Sequence, residues 1–112
     1  MFNRSARLRK ERDIMRVYQK GRGAVNDQLG IKAIANPQGA TRTAVVVSKK
    51  VDKRAVVRNR NRRRIVGILR GQGETYLAGC DIVVTVRQDL SSLSHTELTN
   101  LVIGLLKRSS NV

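Results

Sequence analysis

The residues best equipped for chemistry lie between Ser48 and Arg64, SKKVDKRAVVRNRNRRR, where cation follows cation with small apolar residues between them. The chemistry on offer is anion binding. Guanidinium groups present paired N–H donors that match phosphate oxygens, and Arg prevails over Lys from Arg54 onward. From Val56 the residues are compatible with a helix, so Arg58, Arg60, Arg62, Arg63 and Arg64 are expected on a rigid rod. Lys49 and Lys50, just after Ser48, add a second cluster, and Arg7, Arg9, Lys10, Arg12 and Arg16 give the N-terminal segment a basic face of its own. A Lys/Arg run on a helix is often only a solvated face. At this density self-repulsion calls for a polyanion, and two basic faces predict two RNA surfaces.

Bond-breaking groups are scarce. His95 is the only histidine and Cys80 the only cysteine, so neither a thiolate metal cluster nor an internal disulfide can form. Cys80 reads as a small, partly buried hydrophobe at a strand start, which fits a reducing, cytosolic setting. Glu97 belongs to a helix cap, Asp52 to a helix start, and Glu11 and Asp13 lie among arginines, so no carboxylate pair or metal-ligand spacing emerges. Gly21-Arg22-Gly23 follows a helix rather than opening one, unlike a phosphate loop. No catalytic residue and no metal ligand is expected in this chain; another component must supply any catalysis.

The elements that must position these groups follow from periodicity. Leu8 to Lys20 reads as a helix, with Ile14, Val17 and Tyr18 on one face, ended by Gly21 and Gly23. Asn26 to Ala35 and Thr41 to Val47 read as strands joined by the turn Asn36-Pro37-Gln38-Gly39, a predicted hairpin. A second helix runs from after Asp52 to Leu69 or Arg70 and stops at Gly71-Gln72-Gly73. Val57, Ile65, Ile68 and Leu69 share one arc of it, and Arg60, Arg63, Arg64 and Arg70 the opposite one, with Asn61 an odd polar residue on the apolar side. Asp81 to Val86 is a buried strand. Ser94 and Glu97 form a capping box for a last helix with Leu98, Leu101, Val102, Leu105 and Leu106 on one face. The order is helix, strand, strand, helix, strand, helix: an α+β domain with an open sheet.

With 112 residues the chain suffices for one domain and one core, residues 1–7 forming a loosely ordered basic arm. The net charge is +15 and the pI near 11.6, so affinity for a phosphate backbone should be strongly salt-dependent. Aromatics are only 3% (Phe2, Tyr18, Tyr76), which leaves phosphate contact dominant over base stacking. No apolar run approaches the roughly 18 residues of a membrane span, and the N-terminus lacks a signal-peptide core. The expectation is a soluble, cytoplasmic protein with neither membrane nor DNA as partner.

The run VVVSKKVDKRAVVRNRNRRRI resembles the signature of the bacterial ribonuclease P protein component, in which a strand ending in Ser-Lys-Lys leads to an Arg-Asn-Arg helix. Arg7-Leu8-Arg9-Lys10 through Val17-Tyr18-Gln19-Lys20-Gly21, Asn36-Pro37, the strand Asp81 to Arg87 and the closing Leu-rich helix extend the resemblance over nearly the whole chain. It implies a small α/β sandwich with a left-handed strand–helix–strand crossover. It also implies a subunit that binds the catalytic RNA of ribonuclease P through Arg58, Asn59, Arg60, Arg62 and Arg63. The 5′ leader of precursor tRNA would lie in a cleft lined by Tyr18, Ile14, Lys32, Ser48, Lys49, Lys50 and Arg87, and Mg²⁺ held by the RNA subunit would serve the hydrolysis.

The chain departs from that pattern at four places. Ile14 replaces the usual Phe, Lys32 a frequent aromatic, Asn61 an aliphatic residue, and Val66-Gly67 the usual Arg-Glu. Losing two aromatics should weaken leader stacking while Lys32 adds a phosphate contact. The competing reading, a structural RNA-binding protein such as a ribosomal protein or RNA chaperone, shares the charge and size but does not require the Ser-Lys-Lys to Arg-Asn-Arg spacing. A self-sufficient nuclease lacks its residues.

Overall fold

The computed structural model describes residues 7–110. Within them the elements run α1 (Glu11–Lys20), β1 (Arg22–Val25), β2 (Leu29–Ala35), β3 (Arg42–Val47), α2 (Ala55–Leu77), β4 (Cys80–Val86) and α3 (His95–Ser110). The α+β class is as expected, with one strand more. β1, Arg-Gly-Ala-Val, is too short to display alternation. The strand expected from Asn26 starts only at Leu29, because Asn26 Oδ1 accepts the N–H groups of Gln28 and Leu29, both at 2.8 Å, and turns the chain from β1 into β2. α1 begins at Glu11 rather than Leu8, whose N–H donates to Thr43 O at 2.8 Å. The expected basic arm lies outside the described residues except for Arg7, which bridges to Thr43.

The expected hairpin between β2 and β3 does not form. The chain does turn at Asn36–Gly39, but the sheet order is β1-β2-β4-β3, so β4 lies between the two strands, antiparallel to β2 and parallel to β3. The reason is burial. Ile82–Val84 and Val86 of β4 are all buried, a near-continuous apolar run that belongs at the centre of a sheet. Gly79, just before β4, locks this arrangement by accepting the Asn36 N–H at 3.0 Å and donating to Thr41 Oγ1 at 2.9 Å. The strand–helix–strand unit implied by the resemblance is therefore β3–α2–β4.

α2 and α3 cover one face of the sheet, enclosing Leu29, Ile31, Ile65, Leu69, Ile82 and Leu106 among others. α1 alone covers the other face, where Leu8, Val17 and Val83 form a smaller core with Ile14, Tyr18, Ile34, Ala44 and Val46. α2 runs through Gly71 and Gly73 to Leu77, beyond its expected end. Burial of Leu69 and Leu77 outweighs the helix propensity lost at the glycines, about 1 kcal/mol each. The real stop is Gly79, whose φ of 74° few other residues adopt. The capping box of α3 forms as expected: Ser94 N–H donates to Glu97 Oε1 at 2.9 Å and Glu97 N–H to Ser94 Oγ at 3.1 Å.

Two polar features hold the layers in register. Asn61, buried on the apolar side of α2, donates to Val57 O and Asp89 Oδ1 and accepts the Leu90 N–H, so its polarity ties the β4–α3 loop to the helix. Arg64, expected on the exposed arc, instead turns to the same loop and donates to Leu90 O and Leu93 O. At the other end of the sheet Arg42 grips buried Asp81 through two bonds of 2.7 Å, which raises the Arg42 pKa further above its ordinary value. Removing one partner of such a buried pair strands the other. Arg42→Ala should therefore destabilise the fold by about 3–5 kcal/mol, read from urea unfolding, whereas a shift below about 1 kcal/mol would mean the pair is idle.

Candidate nucleic-acid interface

α2 carries the first basic surface. Arg60 and Arg63 are exposed and have no hydrogen-bond partner among the described residues, so their guanidinium groups are free for an external anion. Arg62 is steadied by donating to Asn59 Oδ1 at 2.6 Å. Arg58 is partly spent: its Nη1 donates to the carbonyls of Asp52 and Lys53, stapling the loop that enters the helix. That loop is drawn tighter by Asp52, which accepts the backbone N–H and the guanidinium of Arg54. The Asp52 carboxyl is consequently held down at about 2. It does not cap the helix itself, since the N-cap is Arg54.

A hollow of about 320 Å³ forms the second surface, on the sheet face that α1 only half covers. Tyr18 and Thr85 share a hydrogen bond of 2.9 Å that fixes the Tyr18 ring over β4. Lys32 Nζ donates to Tyr18 O at 2.9 Å, at the negative end of α1, and Arg87 Nη1 donates to Asn26 O at 2.7 Å. Each cation keeps further N–H donors for a ligand. Gly23 on β1 and Gly30 on β2, paired with Lys32 and Val25 respectively, are diagonal neighbours that line the hollow without side chains; a Cβ on Gly23 would run into the β2 backbone, 1.7 Å from Ile31 O. Tyr18, Lys32 and Arg87 thus come together as expected.

The remaining expected cleft residues do not join them. Ile14 lies on the other flank of α1 and lines a separate groove beside β3, with Arg62, Arg63, Val66 and Arg70 of α2 on its far wall. One helical turn separates Ile14 from Tyr18, yet α1 crosses the sheet as a ridge and each faces its own side. Ser48, Lys49 and Lys50 are exposed in the turn after β3, where Ser48 O accepts the Val51 N–H, and line neither concavity. Thr85 and the two floor glycines escaped the sequence reading. Thr85 is the one polar residue in the Ile82–Val86 run of β4, a signal that could have found it; the glycines needed β1, which carries no period of its own.

Four of the eight carboxylates are occupied structurally. Asp81 binds Arg42 and Asn36, Asp52 binds Arg54, and Glu97 closes the α3 cap. Asp89 accepts from Ser91 and Asn61, which lower its pKa in that order. His95 is exposed at the start of α3. Burial, then nearby Asp81, pushes the Cys80 thiol up, away from the reactive thiolate. Among the described residues no cluster of three His, Cys, Asp or Glu could hold a metal ion, and no helix is long and apolar enough to cross a membrane.

A half-open sheet flanked by unpaired arginines, with four of its acids tied into loops, a cap and a buried pair, is the frame of a nucleic-acid-binding protein. Comparison with known proteins identifies the family. The ribonuclease P family model matches residues 2–110. The ribonuclease P protein component of Clostridioides difficile is 34% identical over 109 residues, covering 96% of this chain and 95% of that one. The Geobacillus kaustophilus component is 33% identical, covering 95% and 88%. Among solved structures, a Staphylococcus aureus ribonuclease P protein superposes with a TM-score of 0.79 at 28% identity, covering 91% of this chain and 93% of that one. The Thermotoga maritima protein gives the same score and identity over 91% and 96%. The chain belongs to the ribonuclease P protein family, and is therefore a subunit of an RNA-based endonuclease of tRNA processing.

The loop entering α2 offers a titration test. A carboxyl with a depressed folded pKa stabilises fully above its unfolded value, near 3.9, and loses that contribution as pH falls through the folded one. The Asp52 carboxyl carbon, followed by NMR in the folded chain, should titrate near pH 2. Arg54→Ala should return it toward about 4.

Proposed function

We propose that the exposed face of α2 binds the catalytic RNA of ribonuclease P, and that the hollow under Tyr18 receives the 5′ leader of precursor tRNA. Arg60 and Arg63, with Arg58, Asn59 and Arg62 beside them, take the RNA subunit's phosphates. The observation that carries the reading is the separation of two basic surfaces on opposite faces of the sheet, one rigid and convex, the other concave with an aromatic wall. In the hollow, the fixed Tyr18 ring offers a stacking face, while the remaining donors of Lys32 and Arg87 meet phosphates on either side. Ser48, Lys49 and Lys50 extend the positive field along which the leader leaves. Mg²⁺ held by the RNA subunit supplies the hydrolytic chemistry. The protein's part is to neutralise charge and hold the substrate, in the cytoplasm where precursor tRNA is processed.

Precursor tRNA should be cleaved by the RNA subunit together with this chain and not by the chain alone. Single-turnover cleavage by nuclease-treated, RNA-free protein would refute the division of labour. Arg60→Ala should weaken assembly with the RNA subunit by about 1–3 kcal/mol and leave the preference for precursor over mature tRNA intact. Tyr18→Ala should do the reverse, lowering holoenzyme affinity for precursor by roughly 1–3 kcal/mol without affecting mature tRNA. Tyr18→Phe, which keeps the ring and loses only the bond to Thr85, should retain most of that affinity. Equal losses for precursor and mature tRNA in Tyr18→Ala would reduce Tyr18 to a packing residue.

A further inference from the structure

The groove beside β3 enters the reading above only through Arg62 and Arg63, which form part of its wall. Sheet edges are normally covered or guarded by charge. Among the described residues the edge of β3 is covered only at Thr43, by Arg7 and Leu8. Alternate residues of a strand turn their N–H and C=O to the same edge, so Val45 presents its backbone donor and acceptor outward like Thr43. No described residue outside the sheet pairs with them. The groove alongside measures about 680 Å³, roughly twice the hollow under Tyr18 at about 320 Å³. Its floor is apolar, made by Leu8, Ile14, Val45 and Val66.

Five arginines line the walls: Arg7 and Arg9 from the segment before α1, and Arg62, Arg63 and Arg70 from α2. No acidic residue is among the described residues that line it. One or two charges would suffice to deter a stray strand; five on facing elements repel one another until phosphates lie between them. An A-form duplex offers its phosphates and a shallow minor groove, and would leave the floor and the Val45 backbone untouched. An unpaired strand can lay a ribose or base on the floor and offer a base edge to Val45.

We propose that this groove holds an unpaired segment of the RNA subunit, with Arg7, Arg9 and Arg70 joining Arg62 and Arg63 on its phosphates. The inference rests on the reading that α2 binds that RNA, since Arg62 and Arg63 serve both surfaces. The precursor leader fits less well because its hollow opens on the other side of α1.

The test is directed cleavage in the assembled holoenzyme with precursor tRNA bound. In a Cys80→Ser background, iron–EDTA is attached through Val66→Cys, in the groove, or through Val56→Cys, on the exposed start of α2. The groove probe should cut the RNA subunit within a short run of unpaired nucleotides. Cuts confined to duplex, cuts in the leader, or no cuts from Val66 while Val56 cuts the RNA subunit would overturn the groove assignment alone. If neither position cuts the RNA subunit, the assembly reading falls with it. Arg70→Ala, at an exposed position that should not disturb folding, should weaken RNA binding about tenfold or more and lower the log–log salt slope by about one. Lys107→Ala on α3 should leave both unchanged. An unaltered salt slope in Arg70→Ala would also overturn the proposal.

Discussion

The insertion of β4 between β2 and β3 is the constraint on which the rest depends. Its apolar residues need cover on both faces, and the parallel link from β3 through α2 places that helix across one face with α3 beside it. A single ten-residue helix is left for the other face. α1 buries Val17 and Val83 but cannot reach across four strands, so a concavity remains on each flank. The same insertion drives β3 to the edge, next to the arginines of α2. Both candidate RNA surfaces are thus consequences of where one buried strand lies.

Charge is partitioned by the same architecture. The chain has 23 basic and 8 acidic side chains, and four of the acids, Asp52, Asp81, Asp89 and Glu97, are committed to loops, a cap and a buried pair. They act locally. Little negative charge is left to oppose the outward arginines, so the net charge of +15 is expressed where a partner can reach it. The arrangement costs stability through self-repulsion, which phosphate relieves on binding.

Much of this was legible in the sequence, and the misses share a cause. The helices, the capping box, the three longer strands and the basic face of α2 are local patterns, and they appear at or near the expected residues. Strand pairing is not local: a good turn at Asn36–Gly39 looks the same whether or not a third strand enters between its arms. β1 was invisible because four residues with a glycine carry no period, and the bare floor of the hollow vanished with it. Periodicity also placed Ile14 and Tyr18 on one face of α1, which is true of the helix. It could not show that the sheet beneath divides that face between two concavities.

The departures from the family pattern become intelligible on this frame. Asn61, where an aliphatic residue is usual, stands beside Arg64 one turn on, and together they bind four groups of the β4–α3 loop: Asp89 Oδ1, Leu90 N–H and O, and Leu93 O. A polar clamp replaces apolar packing, and Asp89 is the residue that makes it affordable by accepting the Asn61 amide. Lys32 exchanges an aromatic wall of the hollow for a cation, but its ammonium is already drawn to Tyr18 O. The exchange therefore secures the C-terminal end of α1 and the backbone of Tyr18 as much as it adds a phosphate contact. With Ile14 turned to the other groove, base stacking in the hollow rests on Tyr18 alone. In the proposed leader site, binding therefore depends on phosphate more than on base identity.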